Sequence, residues 1–188
     1  MDRPAADVPL LRAERCVLRG WTESDRAPFA QMNADPVVME FFPSRLSRAQ
    51  SDAFVDRIEQ HWREHGFGLW AVDVDDVFAG FVGLQRSNFE AWFTPAVEVG
   101  WRLAAWCWGR GAATTGARAA LGYGFDRLGL SEVLSWTAVT NVRSWRVMQR
   151  LGMAPDGEFD HPGTPVDSPL RRHVLYRLRG VDWPACGS

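Results

Sequence analysis

The chain contains no lysine: all 21 of its basic residues are arginine. That absence removes two kinds of chemistry. A Walker-A phosphate loop needs a Lys to reach the phosphates, and a Schiff-base enzyme needs a Lys amine to form its imine. Cysteine is scarce as well. Cys16, Cys107 and Cys186 are odd in number and far apart, so they give neither a metal-ligand spacing nor a disulfide framework. That usage fits a reducing compartment, and a cytoplasmic location is the expectation. The four histidines offer one i,i+4 pair, His61 and His65. No Glu follows His61, so the pair reads as a solvated helix face, and no metal is expected. No stretch is long and apolar enough to cross a membrane as a helix, and no signal-peptide pattern opens the chain. Neither sign of charge dominates. The net charge of -2 predicts no general attraction to nucleic acid or to an acidic membrane.

What is present is an ordinary globular composition, 46% apolar and 23% charged over 188 residues. That length and core fraction predict one domain, over about residues 10–180. Residues 1–13 carry no periodicity and read as a loose lead-in. Residues 16–20 read as a strand, and Thr22 with Asp25 as a helix-opening capping box. Asp35-Pro36 repeats an N-cap signal before a short helical piece over 37–42. Ser47 and Gln50 open a helix carrying Phe54, Ile58 and Trp62 on one face and stopped by Gly66. Two strands follow, over 68–74 and 77–84, joined by a tight turn at Asp75-Asp76. Residues 87–95 are an aromatic loop containing Phe89, Trp92 and Phe93. So apolar a loop is expected to cover a core edge, a substrate cleft or, in a homodimer, a partner chain.

The most informative stretch runs from Glu98 to Thr114. Val97, Val99, Trp101 and Leu103 alternate with Glu98, Gly100 and Arg102, the period-2 pattern of a strand. After Trp108-Gly109-Arg110-Gly111-Ala112-Ala113-Thr114 the pattern becomes one helix face through Ala113, Ala117, Leu121, Phe125 and Leu128, ending at Gly129. Small residues at a helix start let backbone approach a ligand, and the free N–H groups there favour an anion. A phosphate-bearing ligand is the expectation, although small residues also start helices for packing alone. Then come a strand over 132–138, a helix over 141–151 closed by Gly152, a weak strand over 153–159, a proline-rich loop and a final strand over 171–178. The order implies an α+β (α/β-like) domain.

Three stretches in this order resemble the GCN5-related N-acetyltransferase (GNAT) family, in its ribosomal-protein-alanine (RimJ/RimL-like) branch. They are Leu18 to Asp25 with Asn33-Ala-Asp-Pro36 and Phe41-Phe42-Pro43; Glu98 to Leu103 with Trp108 to Thr114; and Asn141 to Met153. The resemblance spans about residues 10–178. It implies a mixed sheet of about six or seven strands, splayed at the cofactor site, with about four or five helices. It also implies acetyl-CoA, its pyrophosphate on the amides of Trp108, Gly109, Arg110, Gly111, Ala112, Ala113 and Thr114. Trp108 departs from the usual Gln or Arg. The pantetheine arm is implied to pair with backbone from Trp101 to Leu103 and to meet Asn141. The family's general-acid Tyr is replaced by Met148, and the branch's Ser falls at Ser144, one turn earlier. Ser144 is therefore implied as the proton donor to the thiolate, unless it only caps or packs its helix.

An amine attacks only when unprotonated, so a base is needed near neutral pH. Glu98, among apolar strand residues, is the candidate; the competing reading is a strand Glu ion-paired with Arg102. The expected function is transfer of an acetyl group to a primary amine, either a protein N-terminus or a small molecule such as an aminoglycoside or polyamine. A non-catalytic acyl-CoA-binding module is the alternative. A nicotinamide-type Rossmann site is disfavoured, because no acid ends the strand before Asn141.

Overall fold

The computed structural model describes residues 8–184, so Cys186 and the first seven residues lie outside it. Leu11–Ala13 (β1) and Cys16–Arg19 (β2) pair antiparallel. Part of the expected loose lead-in is thus an edge strand. Three residues are too few for periodicity to reveal one. Arg19 then ties the start of the chain together. It makes paired hydrogen bonds to Asp25 and to Asp73, at 2.6–2.8 Å. Asp25 in turn accepts from the Thr22 amide at 2.8 Å, which completes the capping box ahead of Arg26–Ala34 (α1).

Between α1 and Arg48–His65 (α2) the chain makes turns rather than the short helix expected over 37–42. Asp35 Oδ1 accepts from Val37 N at 2.8 Å. Its side chain therefore closes a local turn, the competing use of a capping residue. α2 opens as expected, with reciprocal Ser47–Gln50 bonds. Leu69–Val74 (β3) and Val77–Ser87 (β4) follow. Asp75 and Asp76 join them with φ of 52° and 61°, the I′ geometry whose twist suits a two-residue hairpin.

His61 is not a solvated residue. Its Nε2 accepts the Arg86 N–H at 3.0 Å and its Nδ1 lies 2.8 Å from the Phe67 carbonyl. One nitrogen accepts, so the other donates, and the ring is neutral. Burial lowers its pKa. Because the folded value lies below the unfolded one, His61 has no proton-linked effect well above about pH 6.5 and destabilises the fold below it. His61→Ala is expected to cost about 1–2 kcal/mol at pH 7.5. It should also flatten part of the loss of stability between pH 6.5 and 5. Urea midpoints across that range check both; an unchanged midpoint at pH 7.5 refutes the strut.

Ala96–Leu103 (β5), Ala112–Gly122 (α3), Glu132–Ala138 (β6), Val142–Arg150 (α4), Ala154–Asp160 (β7) and Arg172–Arg179 (β8) complete the domain. The strands form one sheet in the order β1-β2-β3-β4-β5-β6-β8-β7. That is eight strands and four α-helices among the described residues, a little more sheet than expected. A single turn of π-helix, Tyr123–Arg127, continues α3. The buried side of α3 is Ala112, Gly116, Ala117, Ala120 and Leu121, so Ala113, expected on the inner face, is only half-buried.

The two faces of the sheet carry different helices. Phe81 meets Phe29 of α1 and Phe54 of α2, with ring centroids 6.1 and 5.7 Å apart. Its neighbour Val82 lies beneath Gly116 of α3. Successive strand residues point to opposite faces, so α1 and α2 cover one face and α3 the other. The aromatic loop covers a core edge, the first of its three expected uses. Phe89 and Phe93 pack with Trp136 and Phe159 over Leu134 and Leu175.

Candidate active site

β5 and β6 run parallel but pair at one register position, Glu98 with Leu134. Beyond it they splay. Ser135 Oγ donates to the Val99 carbonyl at 2.9 Å, and Trp108 Nε1 donates to the Leu103 carbonyl at 2.8 Å. Both carbonyls therefore face the gap. Trp101 lies between them in the same phase, so its N–H and C=O face the gap too. The gap continues into a cleft of about 980 Å³.

At one end of the cleft α3 begins. Gly109 and Gly111 have φ of 75° and 86°, a region that L side chains enter only under strain. A Cβ on Gly109 would touch nothing within 4 Å. The turn, not crowding, selects glycine there. Thr115 N bonds to the Gly111 carbonyl at 3.0 Å, so the amides of Ala112, Ala113 and Thr114 precede the first intrahelical bond. They are the free donors of a helix N-terminus, at its positive end. Trp108, bonded to Leu103, also lies under Arg143 at 4.3 Å. Its side chain forms a wall of the cleft, and its backbone N–H, expected on the pyrophosphate, is bonded to the Ala105 carbonyl at 3.2 Å. Arg15, Arg110, Arg146 and Arg150 line the same cleft. Of these, only Arg110 was named from sequence; the i,i+4 spacing of Arg146 and Arg150 was the available signal.

At the start of α4, the Asn141 side chain is shared between its own helix and β6. Its Oδ1 accepts from Ser144 N at 3.3 Å and its Nδ2 donates to Thr137 Oγ1 at 2.9 Å. Asn141 is thus the cap, and Ser144 is not. Ser144 Oγ instead accepts from Trp101 Nε1 at 3.1 Å. A hydroxyl that accepts there keeps its own proton to give. Both residues line the cleft, and Met148 is buried beneath them.

Glu98 is not ion-paired with Arg102. Gln85 Nε2 donates to one carboxylate oxygen, and Ser87 Oγ donates to the other at 3.0 Å. Burial pushes its pKa up to about 7, and those two neutral donors only partly oppose the rise. The registers place Glu98 beside Gln85 and Trp101 beside Val82. Glu98 therefore lies on the α1–α2 face, and the Trp101–Ser144 pair on the α3–α4 face. A carboxylate and a hydroxyl flank the gap from opposite sides.

The sequence model of the Acetyltransferase (GNAT) domain family matches residues 15–154. The chain belongs to the GNAT acetyltransferase family. Among the relatives of this acetyltransferase is the FsC-acetyl coenzyme A-N(2)-transacetylase of Aspergillus fumigatus. It is 31% identical over 123 residues, which cover 63% of this chain and 52% of that protein. The chain thus spans about half the length of that relative. The uncharacterised N-acetyltransferase YnaD of Bacillus subtilis is 25% identical over 79% of this chain and 85% of its own. In fold, the chain is similar to Mycobacterium smegmatis RimJ in complex with CoA-disulfide, with TM-score 0.76 and 19% identity. That match covers 94% of this chain and 88% of RimJ. It is also similar to the ribosomal-protein-S5-alanine acetyltransferase of Vibrio fischeri, with TM-score 0.73, 18% identity and coverage of 94% and 99%.

Acetyl-CoA is the donor used by this family, and the residues of this GNAT domain fit it. The free amides at Ala112 to Thr114 suit a diphosphate, and the arginine rim suits further phosphate charge. The unpaired backbone of Trp101 suits an amide-bearing arm. When bound, acetyl-CoA supplies an activated acetyl thioester. The mostly antiparallel sheet rules out the doubly wound Rossmann alternative.

Proposed function

We propose that this acetyltransferase acylates a primary amine, with Glu98 accepting the proton the amine must lose. The observation that carries this is a half-buried carboxylate with no cation beside it, held by Gln85 and Ser87 and poised near neutrality. A structural carboxylate at that depth would be expected to have a cation partner. Ser144, on the opposite side of the gap, is the proton donor to the departing sulfur, and Trp101 Nε1 fixes its oxygen. Both ends of the proton traffic are then supplied by the chain itself.

Peptide N-terminal amines are the first acceptors to try, given the fold likeness to a ribosomal-protein-S5-alanine acetyltransferase. Small amines form the second arm. The test is a panel of both, with free CoA release as the readout. Release with no member above the hydrolysis background would refute the reading.

Ser144→Ala is expected to lower kcat about 10- to 100-fold with little change in acetyl-CoA affinity. Steady-state kinetics and calorimetry together check this. An unchanged kcat would confine Ser144 to holding Trp101 and leave the proton to water.

A further inference from the structure

Arg102 stands four residues beyond Glu98 on β5, on the same face, and lines the same cleft. No acidic group partners its guanidinium among the described residues. Nη1 donates to Asn33 Oδ1 at 2.7 Å. Nε is buried and donates to nothing, and no protein acceptor meets Nη2. The other neighbours are rings: Phe42 at 4.0 Å, and Phe54 and Phe81 at 5.5 Å. Aromatic faces compensate a buried cation only in part. Burial accordingly lowers its pKa to about 10, which still leaves it charged at neutral pH.

The other well-shielded arginines are treated differently. Arg19 has Asp25 and Asp73, and Arg177 has Glu132 and Asp156. Asn33 is itself fully buried and fixed through Nδ2 to Ser51 Oγ at 2.9 Å. It therefore holds Nη1 in place. Nε is enclosed, so the group left open to an acceptor is Nη2, which has no protein partner and can give a carboxylate a charge-assisted hydrogen bond. The donor's phosphates have no need of this group, because the α3 amides and the arginine rim that suit them belong to the opposite face.

We propose that Arg102 selects acceptors carrying a carboxylate remote from the reacting amine. This rests on the acetyltransferase reading above, with the amine at Glu98. Four residues along a strand span about 13 Å. A short peptide with an acidic side chain or free terminus, or an ω-amino acid, suits that span better than a free α-amino acid, which has both groups on one carbon. Arg102 is then a specificity-determining residue that acts on binding rather than on chemistry.

The test uses calorimetry on the CoA-loaded protein with 6-acetamidohexanoate and its neutral amide. Neither probe needs turnover. The wild type is expected to bind the carboxylate at least about 10-fold tighter, and Arg102→Met to bind both alike with CoA affinity unchanged. In turnover, 6-aminohexanoate should exceed 6-aminohexanamide in kcat/KM by a similar factor, mainly through KM, and the variant should erase the ratio. Asn33→Asp gives Arg102 an internal carboxylate. It should weaken the preference in a folded protein even if Arg102→Met proves unstable. Equal binding of the two probes by the wild type overturns the proposal. So does a preference that survives Arg102→Met; Arg102 is then a clamp between α1 and the sheet. Carboxylate-selective binding without turnover on any amine would instead sink the catalytic role of Glu98 and leave this proposal standing.

Discussion

Glu98→Gln is expected to lose roughly 10²–10⁴-fold in kcat/KM near neutrality while binding acetyl-CoA as the wild type does. Glutamine keeps the shape and still reaches Gln85 and Ser87, but it cannot accept a proton. The elements that suit acetyl-CoA, the start of α3 and the Trp101 backbone, are untouched. The wild-type profile should rise with pH through about 7, where burial has placed the carboxylate, and further as the amine deprotonates. The variant should lack the first rise and recover part of its activity at high pH. Stability moves the other way. The folded pKa of Glu98 lies above the ordinary glutamate value of 4.5. The folded state therefore binds more protons than the unfolded state between those values, and this residue's contribution to stability falls as pH rises through that window. At pH 8 the half-buried carboxylate is charged without a cation. Glu98→Gln should then be more stable than the wild type by about 1–3 kcal/mol, with the difference shrinking toward pH 5. An inactive variant that is also less stable at pH 8 would identify a structural carboxylate. Equal pH–rate profiles would remove Glu98 from the mechanism.

Gly111→Glu is expected to abolish measurable acetyl-CoA binding, a loss beyond about 100-fold. Two effects add. Residue 111 caps α3 at φ 86°, which costs an L side chain about 1–2 kcal/mol. The new carboxylate would also sit where the free amides of Ala112 to Thr114 attract an anion, so it would compete with the diphosphate for them. Gly111→Ala carries the strain without the charge and separates the two. It should bind with a loss of about 10-fold or less. Calorimetry on both variants decides the matter. Near-native affinity in Gly111→Glu would move the phosphate site elsewhere.

Much of this was legible in the linear chain because local rules write it there. The Ser47–Gln50 box, the Asp75-Asp76 turn and the switch from period 2 to a helix face after Gly111 each depend on residues a few positions apart. The helix over 37–42 failed by the same local chemistry, since Asp35 spends its side chain on a turn. The aromatic loop showed that it covers something, but not what. Phe89 and Phe93 find Trp136 and Phe159, which lie far along the chain.

The sequence by itself determined the family and the glycine-led helix start, and it singled out Glu98 and Ser144 as the candidates to move protons. Covalent spacing and residue chemistry suffice for that. Only the tertiary structure decided what those groups touch. It gave Glu98 Gln85 and Ser87 in place of Arg102, because strand pairing chooses neighbours that sequence distance does not. It made Asn141 the cap and freed Ser144 to meet Trp101, across 43 residues. It set Glu98 and Ser144 on opposite faces of a splayed sheet, and it half-buried Arg102 on the Glu98 side with no acid beside it. Burial and charge pairing are sums over contacts from the whole chain, so they exist only once the sheet has formed and its two faces are covered.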